Sequence, residues 1–353
     1  MSDIIQKIDP EAEFRFWPKH NEAIYKRLES KHSWMEDRRH EKLGTDPLEH
    51  QMTLNIGPQH PATHGVLRCA VKLDGEIIEK CVLDIGYLHR GIEKLAESKT
   101  YQEFMPYTDR MDYLAPYSTN VAWCLAVEKL AAIEVPERAL WIRMIMCELA
   151  RISAHLLWMG VGLMDAGAVS VFLWAFQSRE DIYQIFDHVA GARFTVSHSR
   201  IGGTASDVND EAMTLIKDFV EKFPDVVTGW QKLLNRNRIW IDRNVGVGAM
   251  TADEVKSFGM TGPNLRGSGV EHDIRRFEPY LKYDQVDFNI PIRTEGDALA
   301  RYLIRMEEMK ESVKIIQQCI EKMKPGLIRV DNAKQAYPSK DEVYYSMEGM
   351  IHD

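Results

Sequence analysis

Two histidines stand four residues apart in "NIGPQHPATHGVLR", residues 55–68, within a nine-residue segment that also holds two prolines and two glycines. Prolines and glycines shape a turn, whereas imidazoles can bind a metal, move protons, or simply cap and solvate the chain. A zinc site needs three or four ligands, and no HExxH motif or cysteine partner stands near His60 and His64. Asp165 separates two uncharged stretches of thirteen residues in "ISAHLLWMGVGLMDAGAVSVFLWAFQS", 152–178. A carboxylate buried there must be paired or protonated, so a partner is expected, and an imidazole is one choice. In "PYTDRMDYLAPYSTN", 106–120, Asp109, Arg110, Asp112 and Tyr113 gather at the junction of two predicted helices. They read either as a structural salt bridge beside a core tyrosine or as acids and a phenol aimed at a ligand. Arg90, in "LHRGIEK" with Glu93 and Lys94 close behind, is either surface charge or a donor aimed at an anion or a cluster.

The elements that must position these groups follow from periodicity. Residues 52–85 alternate apolar and polar side chains around Asp74-Gly75, which predicts a small antiparallel sheet with "GPQHPATHG" joining its first two strands. From Gly91 the period becomes helical, with helices expected over 91–104, 117–133, 136–164, 170–189, 206–234 and 295–323. The stretch "VPERALWIRMIMCELARISAHLLWMGVGLM" is apolar nearly all round, which implies a helix buried in a bundle. The expected organisation is a charged N-terminal arm over 1–50, a sheet with its histidine loop over 51–88, and a helical bundle over 89–240. An irregular α+β region with one long helix then runs over 241–353. The fold class is mainly α with a small antiparallel β part.

The bulk composition narrows the function. The 353 residues are 45% apolar and 27% charged, with 53 acidic against 44 basic side chains, and a net charge of −9 disfavours nucleic acid. Five cysteines (Cys69, Cys81, Cys124, Cys147 and Cys319) are dispersed without a CxxC, as expected of buried, reduced thiols in a cytosolic compartment. The N-terminus shows neither a signal peptide nor a transit peptide, and no run reaches the ~18 apolar residues of a membrane span.

Several long motifs occur in continuous order over about residues 50–353: "NIGPQHPATHGVLR", "IGYLHRGIEKLAESKTYQEFMPYTDRMDYLAPYSTN", "PERALWIRMIMCELARISAHLLW", "LMDAGA", "AGARF" and "RYLIRMEEMKESVKII". Together they resemble the quinone-site D subunit of bacterial respiratory complex I, NADH:quinone oxidoreductase, a family related to the large subunits of nickel-iron hydrogenases. Hydrogenases place a cysteine pair where this chain has Asp112 and Ala115, so a nickel site is not expected.

The resemblance implies that His64 and Tyr113 flank the carbonyl oxygens of a quinone headgroup and deliver protons to it. It further implies that Asp165 pairs with His64 and that His60 supports the loop. Arg90 is implied to approach a terminal [4Fe-4S] cluster held by the adjacent B subunit, since this chain has no clustered set of four cysteines. Mitochondrial relatives carry a histidine near that cluster at the position of Thr195, and His198 lies three residues away. A low-potential quinone such as menaquinone fits that loss. The expected partners are the B, C and I subunits and the membrane-embedded H subunit, with the chain peripheral on the cytoplasmic side of a bacterial inner membrane. The family's chains continue past "SMEGMIHD", so a C-terminal segment of the family is expected to be missing here. A non-catalytic structural or assembly role is the alternative function, and bound nickel would revive the hydrogenase reading.

Overall fold

Strand β1 (Gln51–Ile56) pairs antiparallel with β2 (Arg68–Asp74), which turns at residues 75–76 into β3 (Ile77–Asp84). Gly75 adopts φ +60°, a conformation that glycine enters without the Cβ penalty. The register sets Leu54 beside Val71 and Cys81 on one face of the pleat, and Thr53 beside Lys72 and Lys80 on the other, where Ala70 and Val82 also pair and are buried. The computed structural model describes residues 51–331, 338 and 340–352, mainly α-helical with this small antiparallel sheet. The arm expected over residues 1–50 lies outside them, as do residues 332–337, 339 and 353 of the irregular region expected over 241–353.

The chain divides into two compact units at Ile92/Glu93. Around that division, α1 (Ile92–Ala96) covers only the start of the single helix expected over 91–104, and the next helix, α2 (Met105–Thr108), begins after its expected end. The physical reason is local. Thr100 N–H donates to the Glu103 carboxylate at 2.8 Å and Glu103 N–H to Thr100 Oγ1 at 3.2 Å, a reciprocal pairing that restarts the backbone instead of continuing it. Then come α3 (Pro116–Ala131), α4 (Glu137–Asp165) and α5 (Val169–Ala190), followed by a two-residue ladder, β4 (Ser199–Arg200) with β5 (Gly203–Thr204). Helix α6 (Asp210–Leu234) starts at the Asn209 cap, four residues later than its expected start at 206.

The region after α6 is a run of short helices: α7 (Arg238–Asn244), α8 (Ala252–Ser257), α9 (Gly262–Arg266) and α10 (Ile274–Phe277). The long α11 (Ala298–Lys322) follows, then α12 (Lys340–Tyr345) and α13 (Met347–His352).

Helix α4 is the centre of the bundle. It packs against α3, α5 and α11, and Trp141, Ile142, Met144, Ile145, Leu149, Ile152 and Leu156 are almost wholly buried. By length and composition it could cross a bilayer, yet 67% of its most apolar stretch is buried within the bundle.

Two buried arginines tie later segments to this core. Arg143 on α4 makes a two-pronged pair with Glu128 on α3, at 3.0 and 2.6 Å, and donates to the carbonyls of Arg200 and Gly203. Glu128 in turn accepts from Gly202 N–H at 2.8 Å, so one ion pair clamps the β4–β5 ladder onto the helices. Gly203 belongs there because a Cβ would stand 2.1 Å from the Ile328 carbonyl oxygen. The second, Arg275 on α10, reaches Glu148 on α4 at 3.1 Å. Arg143→Met is expected to lower stability by about 3–5 kcal/mol, the scale for stranding a buried carboxylate, read as a shift in denaturant midpoint.

Candidate functional site

The histidine loop is built from backbone geometry first. Gly57 adopts φ +88°, and a Cβ there would lie 2.2 Å from the Leu67 carbonyl oxygen, so only glycine lets the loop close. Thr63, buried, donates its hydroxyl to the Pro58 and His60 carbonyls at 3.2 and 3.0 Å. The loop then treats its two imidazoles differently. His60 caps the 3-10 turn Pro61–Thr63, its Nδ1 accepting from Ala62 N–H at 3.2 Å. His64 follows that turn at φ +51°, a left-handed conformation uncommon outside glycine, and its exposed ring makes no hydrogen bond among the described residues. One histidine is spent on the fold and the other is left over.

Tyr113 lies half-buried in the turn between α2 and α3, and its hydroxyl likewise has no hydrogen-bond partner among the described residues. The turn is held by its neighbours. Asp109, 1% exposed, accepts from Ser197 N–H at 3.2 and 3.1 Å and from the Ser197 hydroxyl at 2.6 Å, fastening the turn to the loop before β4. Asp112 accepts from Leu114 N–H at 3.3 Å, a local turn contact.

Asp165 departs from expectation. It is the last residue of α4 and is exposed, with no hydrogen bond or ion pair among the described residues. The two apolar stretches do form two helices, but the reversal between α4 and α5 comes at residues 166–168 and turns the carboxylate outward. Arg90 and Glu93 are exposed, and His89 Nδ1 accepts from Gly91 N–H at 3.0 Å. His198, three residues past the half-buried Thr195, is 1% exposed, with its Nε2 bonded to the Ser206 carbonyl at 3.0 Å and its Nδ1 unpartnered. Of the cysteines, Cys124, Cys147 and Cys319 are buried, but Cys81 is exposed on the sheet, a correction to the uniformly buried set expected. Burial pushes the Cys124 and Cys147 thiols up to about 12. Among the described residues no group of three or more His, Cys, Asp or Glu side chains is arranged to hold a metal ion.

A network of buried charges went unread in the sequence. Glu148, 0% exposed, accepts from Arg275 Nη1 at 3.1 Å, Arg151 Nε at 3.3 Å, the Tyr283 hydroxyl at 2.5 Å and the Ser312 hydroxyl at 2.6 Å. Arg275 continues to Asp273 at 2.8 Å, Arg266 bridges Asp273 and Glu308, and Glu308 reaches His155 Nε2 at 2.7 Å. Burial opposes charge on Glu148, but the Arg151 and Arg275 guanidiniums outweigh it and hold its carboxyl down at about 2. Burial wins at His155, whose pKa lies below the ordinary histidine value despite Glu308. The available signal was the spacing of Glu148, Arg151 and His155 at i, i+3 and i+7, one polar line along an otherwise apolar helix.

With this geometry in view, comparison with known proteins is decisive. The family model described as "Respiratory-chain NADH dehydrogenase, 49 Kd subunit" matches residues 165–353. The chain belongs to this family. It is 70% identical to the D subunit of NADH-quinone oxidoreductase from Salinibacter ruber, over 97% of this chain and 78% of that one. It is 59% identical to the D 1 subunit of NADH-quinone oxidoreductase from Chloroherpeton thalassium, over 87% and 70% respectively. The corresponding D subunit of Geotalea uraniireducens is 49% identical over 85% and 77%. The chain is thus one component of an oxidoreductase, NADH-quinone oxidoreductase or complex I, and works as part of that complex in electron transport.

His198 makes the acid sensitivity of this complex I component predictable. Burial lowers its pKa to about 4 from an ordinary value near 6.5. Between those values the unfolded chain binds a proton that the folded chain refuses, so stability is full above pH ~6.5 and falls as pH drops towards ~4. The loss approaches ~3 kcal/mol at the lower end. His198→Phe is expected to flatten that part of the stability profile, measured by chemical denaturation across this pH range.

Proposed function

We propose that this chain forms, with the B subunit of the complex, the site at which a quinone is reduced, and that His64 and Tyr113 deliver the protons. The observation that carries the reading is the division of labour in the histidine loop: His60 is used as a cap while His64 stands free on a glycine-shaped scaffold. Tyr113 has the same property, a hydroxyl with no structural task, presented by a turn that Asp109 fastens in place. Two-electron reduction converts the quinone's carbonyl oxygens into strong bases. A phenol with an ordinary pKa near ~10 is a poor acid at neutral pH but suffices against such a base. An imidazole supplies the second proton, and a carboxylate neighbour favours its charged form.

Asp165 is the carboxylate proposed for that neighbour role. Its exposure at the end of α4 leaves it available to a partner instead of locked in the core. His60 supports the quinone loop through its cap. The electrons arrive from a [4Fe-4S] cluster held by the B subunit, which Arg90 is proposed to approach, its cation favouring the reduced cluster. The C and I subunits complete the surroundings on the cytoplasmic face of a bacterial inner membrane, and the membrane-embedded H subunit opens the path for the quinone's apolar tail.

In the assembled complex, Tyr113→Phe is expected to lower quinone reduction by tenfold or more, within the ~10²–10⁴-fold scale of general acid catalysis. NADH oxidation by artificial acceptors and the composition of the complex should stay at wild-type levels. Unchanged quinone turnover in this variant and in His64→Ala would instead favour a purely structural role.

A further inference from the structure

Arg143, Arg179, Arg266 and Arg275 are the arginines that the described residues bury. Arg143 is paired with Glu128, Arg266 with Glu308, and Arg275 with Glu148 and Asp273. Arg179, on α5 and 2% exposed, has no carboxylate partner among the described residues. Its hydrogen bond within the described residues runs from Nε to the Ser153 hydroxyl on α4 at 3.2 Å, which leaves both Nη groups without a protein acceptor. The adjacent Glu180 is taken by Arg193 at 2.5 Å. Aromatic rings flank the cation instead: its guanidinium carbon is 4.9 Å from the Phe176 ring centre and 5.1 Å from that of Tyr183. Aromatic faces attract a guanidinium but do not neutralise it, and burial pulls its pKa below the ordinary arginine value.

The surroundings say what kind of anion fits. At helical spacing along the same side of α5, Val169 and Leu173 are 54% and 60% exposed, beside the paired rings of Phe172 and Phe176. A guanidinium without a carboxylate partner among the described residues, set against half-buried aromatic rings on a helix that also exposes Val169 and Leu173, has the composition of an interface hot spot. The guanidinium fork matches a carboxylate in bidentate contact, and an apolar rim would shield that contact from water. A chain that works inside a multisubunit complex has other subunits to supply the acid.

We propose that the α5 face carrying Phe176, Arg179 and Tyr183 is a subunit contact, at which an aspartate or glutamate of another subunit of the oxidoreductase seats on the Arg179 guanidinium. This contact is separate from the quinone residues above and does not depend on their assignment.

The test uses the assembled complex carrying Arg179→Lys. A zero-length carbodiimide reagent couples an amine to a carboxylate only in direct contact, and arginine does not react. The expected product is a peptide spanning position 179 joined to an acidic peptide of another subunit, absent from the wild-type complex. In parallel, Arg179→Met should reduce retention of this chain in the complex by about tenfold or more after a salt wash, as expected when one partner of a desolvated charge pair is removed. An amine that couples only to acids of this chain, or to none in an assembled complex, overturns the proposal. Wild-type retention of the methionine variant overturns it as well.

Discussion

The interior of the helical unit is organised by the cost of burying charge. Glu148 sits fully inside α4, and a carboxylate there is tolerable only if every oxygen is occupied. Arg151, Arg275, Tyr283 and Ser312 meet that requirement, and they come from four different parts of the chain. Arg275 and Arg266 must themselves be neutralised, which brings in Asp273 and Glu308, and Glu308 brings in His155. The short helices α9 and α10 bury little apolar surface: Ile274 and Phe277 of α10 stay exposed, and Leu265 is the buried apolar side chain of α9. They are held against the bundle because the network is complete only when they are present. The Glu128–Arg143 pair does the same for the β4–β5 ladder on a smaller scale.

A contrast follows between polar groups that folding consumes and those it leaves. His60 caps a turn, Asp109 fastens Ser197, and His155 donates to Glu308. Each has a structural task and is satisfied. Among the described residues, His64, the Tyr113 hydroxyl, Asp165 and the Arg179 Nη groups have no such task. The scaffold around them is nevertheless specific: Gly57 permits a loop closure that any Cβ would block, and the turn bearing Tyr113 is pinned by a buried carboxylate.

Local features were legible in the amino-acid string. Strand alternation around Asp74-Gly75, the apolar run of α4 and the long period of α11 each follow from nearest-neighbour patterns, and the structure places these elements there. The motifs that point to the complex I family are equally local, and the comparisons bear that membership out. The failure at residues 91–104 was itself local: the serine, threonine and glutamate there offer the backbone an alternative set of hydrogen bonds, which apolar periodicity does not register.

What the chain determined by itself, then, was the type of most elements and the family. Only the tertiary structure decided which polar groups were spent. Glu148 and Arg275 are 127 residues apart, and His155 and Glu308 are 153 apart, so no window of sequence contains either contact. Asp165 looked buried because its neighbours are apolar, yet burial is set by where the helix stops and how the next one packs, and the reversal turned it outward. Charge pairing and burial depend on distances in space, and those exist only once the helices have packed.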